Sequence, residues 1–212
     1  MKVNEIFYSI QGESSFMGLP CAFIRLSACD LRCTYCDTGY AFYEGKEMEI
    51  AEILSVIEDY PTRLALVTGG EPMLQKSVHA LFRELLEHGY TVCLETGGHV
   101  PLKDVDPRIH KIVDLKCPSS GMESHNNYEN INCITRRDEI KFVVGDRADF
   151  DWACDAIRRF DLTARAGTVL FSPVYRELPY HKLARWVLDS GLQVRMQLQL
   201  HKIIWPDILR GV

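Results

Sequence analysis

Nothing in this sequence is long and apolar enough to cross a bilayer: runs such as Leu64 to Val67 fall far short of the about 20 residues a spanning helix needs. The opening residues Met1-Lys2-Val3-Asn4-Glu5 lack the basic, then apolar, then small-residue pattern of a secretory signal, so a cytoplasmic location is expected. An excess of positive charge is also missing. With 24 Lys and Arg against 29 Asp and Glu, dispersed along the chain, there is no basic face with which to displace counterions from nucleic acid. Repeats and low-complexity stretches are absent as well. At 212 residues the chain has room for one sizeable core and is short for two domains, so a single domain over 1–212 is expected.

Eight cysteines are present, but a disulfide framework belongs to small exported chains, and this one is neither. Three of them crowd into Cys29-Asp-Leu-Arg-Cys33-Thr-Tyr-Cys36, while Cys93, Cys133 and Cys154 are scattered and read as packing thiols. The spacing C-x3-C-x2-C lets three thiolates converge from one loop. A structural zinc site calls for four ligands in two separated pairs, and no second pair exists here. Iron–sulfur clusters also use closely spaced cysteines, and one held by three leaves an iron open to a small molecule. Burial of all three as apolar thiols fits poorly with neighbours as polar as Asp30, Arg32 and Asp37.

Strand and helix signals alternate along the chain. Val3 to Ile10, Cys21 to Leu26, Leu64 to Val67, Thr91 to Leu94, Ile112 to Leu115, Ile140 to Val144, Thr168 to Phe171 and Leu192 to Gln197 read as strands. Helical spacing marks Ile50, Ile53, Leu54 and Ile57, closed by Pro61, then Leu74, Val78, Leu81, Phe82 and Leu85, closed by Gly89, and later Phe150 to Phe160 and Tyr180 to Asp189. This alternation predicts parallel pairing, with functional loops at the C-terminal ends of strands. The polar stretch Pro118 to Arg137 reads as an irregular insertion near one mouth of the sheet.

The triplet with an aromatic before its last cysteine (Tyr35), followed by Thr68-Gly69-Gly70-Glu71-Pro72, resembles the radical S-adenosylmethionine (SAM) enzymes. Glu5-Ile-Phe-Tyr-Ser-Ile10-Gln11-Gly12-Glu13, Arg25, Cys36-Asp37-Thr38 and Gln199-Leu-His201-Lys-Ile-Ile-Trp-Pro206 narrow this. Together they resemble, over essentially the whole chain, the 7-carboxy-7-deazaguanine synthase family of the queuosine pathway.

That resemblance implies an α/β fold, an incomplete, modified (β/α) TIM-like barrel working as a homodimer; a complete eight-fold barrel typically takes about 250 residues. It implies a [4Fe–4S] cluster on Cys29, Cys33 and Cys36, the methionyl amine and carboxylate of SAM on the fourth iron, Mg²⁺ at Thr38, and an external flavodoxin- or ferredoxin-like electron donor. The implied substrate is 6-carboxy-5,6,7,8-tetrahydropterin, rearranged with loss of ammonia after hydrogen removal from C6. Ile10, Gln11, Gly12, Glu13, Arg25, Thr68, His201 and Pro206 fall at its substrate positions. Tyr35, Gly69, Gly70, Glu71, Glu95, Asp114, Leu115, Lys116 and Ser172 fall at cofactor positions. The glycines are expected to let backbone approach the ligand, Glu71 to accept from its amine, and Arg25 to offer a carboxylate fork.

Taken singly these residues have plainer readings: Arg25 as a solvent-facing strand residue, Glu13 as a turn cap, His201 as a satisfied strand-end histidine, Thr38 as a loop threonine. Three positions depart from the family pattern. Ser14 stands where glycine is common, Gly97 where asparagine is common, and Asp114-Leu115-Lys116 replaces Ser-Pro-Lys. Two rival readings share some features, a glycyl-radical-enzyme activase and a non-catalytic iron–sulfur or zinc module.

Overall fold

Alternation on the second strand shows how the molecule is built. In β2 (Pro20–Leu26) the side chains Ala22, Ile24 and Leu26 face one way and Cys21, Phe23 and Arg25 the other. The computed structural model describes residues 1–212 and arranges nine strands in one sheet. The strands are β1 (Lys2–Ile10), β2, β3 (Lys46–Glu47), β4 (Leu64–Gly69), β5 (Thr91–Thr96), β6 (His110–Asp114), β7 (Glu139–Val144), β8 (Thr168–Pro173) and β9 (Arg195–Met196), in the order β3-β1-β2-β4-β5-β6-β7-β8-β9. From β2 to β9 every pairing is parallel and the order runs one way. Right-handed crossovers then put the helices on a single face, and the other face curls inward as an open, partial barrel.

The helices are α1 (Ile50–Glu58), α2 (Val78–Glu87), α3 (Arg147–Phe160), α4 (Leu162–Arg165), α5 (Tyr180–Ser190) and α6 (Leu200–Ile204). Their apolar stripes, among them Ile53, Leu54, Ile57, Leu81, Phe82 and Leu85, close on the outer face at Ile24, Leu26, Ala65, Val67 and Leu94 as the main core. A smaller apolar cluster lies inside the curl: Phe7, Cys21, Phe23, Leu64, Leu66, Cys93 and Ile112, with Phe16 against it. Phe7 and Phe23 stack at 4.7 Å between centroids. The interior is therefore plugged with side chains at the level of the N-terminal halves of the strands.

The purely parallel expectation fails at one edge. β1 runs antiparallel to β2 and to β3, because residues 11–19 return as a loop and no helix reverses the direction. Helices are also missing between β5 and β6 and between β6 and β7; the latter connection carries 3₁₀ turns at Pro118–Ser120, Glu123–His125 and Tyr128–Cys133. The expected strand Leu192 to Gln197 shortens to Arg195–Met196, since Leu192 and Val194 turn to pack on the main core. Leu74 belongs to a separate 3₁₀ turn, Pro72–Leu74, and α3 begins three residues earlier than expected, where Asp146 caps the amide of Asp149. Cys93, Cys133 and Cys154 pack as expected, and no helix is long and apolar enough to cross a membrane.

The irregular insertion is tied down at its end by a buried ion pair. Asp138, fully buried, accepts from Lys111 N at 2.9 Å, Thr135 N at 2.8 Å and Thr135 Oγ1 at 2.9 Å, and pairs with Lys111 Nζ at 3.0 Å. Removing one member strands a charge in the core. Asp138→Ala is expected to lower unfolding free energy by about 3–5 kcal/mol in urea titration, whereas Asp155→Ala, in an exposed helical pair with Arg158, is expected to stay within about 0.5 kcal/mol.

Candidate active site

Above the apolar plug the inward positions turn polar. Arg25 on β2, Thr68 on β4, Glu95 on β5, Asp114 on β6 and Lys141 on β7 ring a cavity of about 350 Å³ at the C-terminal ends of the parallel strands. Cys29, Cys33 and Cys36 line the same cavity from the loop after β2.

That loop has almost no regular structure and is held from outside. The amides of Gly70 and Glu71 donate to Leu26 O (3.0 Å) and Ala28 O (2.7 Å), and Ala28 adopts a φ of 76°. A Cβ on Gly69 would overlap the Leu26 backbone, and one on Gly70 the Ala28 carbonyl. The two glycines thus let one backbone approach another, a demand of the fold itself, while both also line the cavity. Arg32 Nη1 donates to Cys29 O (2.8 Å) and Leu31 O (2.7 Å), with its guanidinium 4.3 Å from the Phe42 ring centre. From the insertion, Ser119 O accepts from Thr34 Oγ1 (2.8 Å) and Ser120 O from Thr34 N (3.1 Å). His99 Nε2 meets Asp30 Oδ1 at 2.6 Å.

Cys29, Cys33 and Cys36 line one cavity from one loop, and no second cysteine or histidine pair joins them there to complete the four-ligand set of a structural zinc site. Three thiols around an open cavity, without a fourth protein ligand, fit a cluster with one exchangeable position. Burial pushes the Cys29 and Cys33 thiols up, with Lys116 opposing this at Cys33. A bound metal centre would supply the charge that holds them as thiolates.

On the cofactor side, Tyr35, Gly69, Gly70, Glu71, Glu95, Asp114 and Lys116 line the cavity. Two expected members do not. Leu115 points outward into the main core, because its neighbours Asp114 and Lys116 take the inward positions, and buried Ser172 spends its hydroxyl accepting from Gln197 Nε2 at 3.0 Å. Glu71 is nearly fully buried and accepts from Met73 N (3.0 Å), Thr96 Oγ1 (2.8 Å) and Gly97 N (2.8 Å). Its carboxylate therefore binds two loops together more than it offers itself to a ligand. Glu95 has a single protein partner, Thr68 Oγ1 at 3.2 Å, and burial pushes its carboxyl up despite the Lys141 charge. It is a half-buried acid with one hydrogen-bond donor, suited to a ligand that brings further donors or positive charge.

On the substrate side, Ile10, Gln11, Glu13, Arg25, Thr68 and His201 line the cavity, and so does Thr38, whose Oγ1 is 3.8 Å from Cys36 Sγ. Gln11 Nε2 is buried without a partner, a free donor in the wall. Glu13 accepts from Lys141 Nζ (2.9 Å) and Gln199 Nε2 (2.9 Å); burial works against its charge, but Lys141 and Gln199 outweigh it and hold the carboxyl low. Gly12 does not line the cavity. The space its missing side chain leaves is taken by the His201 ring. Pro206 is exposed on the C-terminal segment and is not at the cavity, which corrects its placement. Ser14, at φ 67°, sits where glycine would be unstrained, so the departure costs strain while its amide still donates to Gln197 Oε1 at 2.8 Å.

Sequence reasoning gave no role to Lys141 or Gln197, nor to Glu5, Gln199, Asp37 and Lys202, which it met only inside motif segments. A signal existed for Lys141: a lone charge in the apolar strand Ile140 to Val144, two residues from Glu139 and so on the same face.

A family model described as the radical SAM superfamily matches residues 23–171. A 7-carboxy-7-deazaguanine synthase of Koribacter versatilis is 42% identical over the whole of both chains, and one of Chlorobaculum tepidum is 45% identical over the whole of this chain and 97% of its own. Among solved structures, QueE from Escherichia coli superposes with a TM-score of 0.78 at 24% identity, covering 94% of each chain.

Because Glu95 holds its proton above the ordinary carboxylate value of about 4.5, the folded chain keeps a proton that the unfolded chain has released. Stability must then fall as pH rises from there to the folded value. Glu95→Gln is expected to abolish that fall and raise the thermal midpoint of the cluster-free protein at pH 7, as followed by circular dichroism; an unchanged midpoint would place Glu95 in an adequately solvated setting.

Proposed function

The chain belongs to the radical SAM superfamily and, within it, to the 7-carboxy-7-deazaguanine synthases, and from that premise we propose how its own residues divide the work. It is a lyase of 7-deazapurine biosynthesis that uses a [4Fe–4S] cluster and SAM. The substrate is 6-carboxy-5,6,7,8-tetrahydropterin and the product 7-carboxy-7-deazaguanine, with loss of ammonia. The observation that carries this reading is the shared cavity: three thiols of one loop face a guanidinium fork, a partnerless amide and a held carboxylate.

Cys29, Cys33 and Cys36 would hold the cluster, which with SAM would supply the radical chemistry that removes hydrogen from the substrate. Glu95, Asp114, Lys116 and the Gly69–Gly70 backbone, which line the same cavity, would hold the cofactor. Gln11 Nε2 donates to an acceptor on the pterin edge, while Glu13 accepts from its N–H groups; Lys141 keeps that carboxylate ionised. Arg25 takes the substrate carboxylate. The apolar floor of Phe23, Leu66 and Ile112 shields the reacting carbon from water. Thr38 places an oxygen beside the cluster mouth for Mg²⁺, which keeps waters and can be completed by substrate oxygens.

The resemblance further supports residues 1–212 as one domain, an external flavodoxin- or ferredoxin-like donor, a cytoplasmic setting and a homodimer. Exposed Ile203, Ile204, Ile208 and Leu209 on the C-terminal segment give such a dimer apolar surface to cover.

Anaerobic incubation with SAM, a reductant and the carboxypterin, read by mass spectrometry, is expected to yield the deazaguanine product; none from a fully loaded protein would refute the assignment. Cys33→Ala is expected to lose the stable brown chromophore and Cys154→Ala to keep it. For Thr38→Ala, the rate rise on Mg²⁺ titration is expected to weaken at equal cluster content, and curves that superpose on those of the unaltered protein would remove Thr38 from the metal site.

A further inference from the structure

Arg25 is not alone at the cavity wall. Its cross-strand partner on β1 is Glu5, and Arg25 Nε donates to Glu5 Oε1 at 2.7 Å. The same Glu5 oxygen accepts from Tyr40 Oη at 3.0 Å, and Tyr40 lies in the 3₁₀ turn Gly39–Phe42, which begins one residue past Thr38. Neither terminal nitrogen of Arg25 has a protein partner. A guanidinium held through Nε has its outer edge, with two parallel N–H bonds, left free for a second carboxylate. Ring faces complete the clamp: the guanidinium carbon lies 5.8 Å from the centre of Phe7 and 6.0 Å from that of Tyr40.

We propose that Glu5 and Tyr40 are positioning residues for the pterin substrate: one Glu5 oxygen fixes the angle of the Arg25 fork and ties it, through Tyr40, to the segment that carries Cys36 and Thr38. The substrate carboxylate is thereby registered against the cluster loop. Two other acids stand near the guanidinium, and neither is bonded to it. Asp37 is paired with Lys202, and Glu95 is bonded to Thr68. Glu5 and Tyr40 touch neither the thiols nor the cofactor side of the cavity.

This rests on the reading of Arg25 as the carboxylate ligand, so both are tested together. Glu5→Gln, Tyr40→Phe, Arg25→Lys and the double variant Glu5→Gln/Arg25→Lys would be prepared as cluster-loaded protein. Initial rates against carboxypterin concentration would be compared with equilibrium binding of the carboxypterin by calorimetry and with iron and sulfide content. Glu5→Gln is expected to raise KM and Kd about tenfold, the scale of one charge-assisted hydrogen bond, with kcat within about threefold and cluster content unchanged. Tyr40→Phe is expected to move in the same direction by less. The double variant is expected to be no worse than Arg25→Lys, because Glu5 acts only through the fork. A Glu5→Gln protein with unaltered KM beside an Arg25→Lys protein with raised KM would overturn the proposal, as would additive losses in the double variant. If Arg25→Lys itself leaves KM and Kd unchanged, the carboxylate assignment falls, and the proposal with it.

Discussion

The close approach of two backbones, Gly69–Gly70 against Leu26–Ala28, is the constraint on which the rest of the site depends. Two amides of the β4 turn donate to carbonyls of the β2 exit, and any side chain at either glycine would force them apart. The cysteine loop starts at that contact. With little regular structure of its own, it takes its shape from there, from the Arg32 clasp and from the serines of the insertion. Three thiols can be fixed around one centre only if the loop between them is fixed, so the glycine contact, the carboxylate of Glu71 and the otherwise shapeless segment after Pro118 serve one purpose. Glu71 works from beneath, joining the β4 and β5 turns through Met73, Thr96 and Gly97.

The second organising feature is the change of character along the inward strand positions. Apolar residues fill the curl below, and acids and bases stand above them. Buried charges persist there because most are paired: Glu13 with Lys141, Asp114 with Lys116, Arg25 with Glu5. Asp114 Oδ1, buried without a partner, the Gln11 amide, likewise unpaired, and Glu95, with one hydrogen bond, are the partial exceptions. An acid short of donors and an amide short of an acceptor cost stability in the empty protein and regain it when a ligand completes them, the usual trade at a binding site.

Most strands and helices were legible because their apolar periods are clean, and the cysteine spacing announced the site. The topology at the sheet edge was not. Whether β1 pairs parallel or antiparallel with β2 is decided by a nine-residue loop whose course depends on contacts from Glu13, Ser14 and Ser15 to residues more than 120 positions away. Motif segments carried over as blocks went wrong where strand alternation splits a block: Asp114 and Lys116 point in, Leu115 points out. Gly12, placed among the substrate positions by its motif, lies off the cavity and makes room for His201, which lines it. Lys141 lies outside every motif and Glu5 only opens one without an assigned role; the fold brings them to Glu13 and Arg25.

The central claim is that one loop supplies three ligands and leaves the fourth position facing the cavity. Electron paramagnetic resonance of the reduced protein, loaded to four irons and four sulfides and titrated with SAM, addresses it most directly. An open iron predicts that the cluster spectrum changes on addition of SAM and saturates at one equivalent per chain. A spectrum that does not move while SAM binding is shown by an independent method would mean that the fourth position is closed to the cofactor, and would contradict the account.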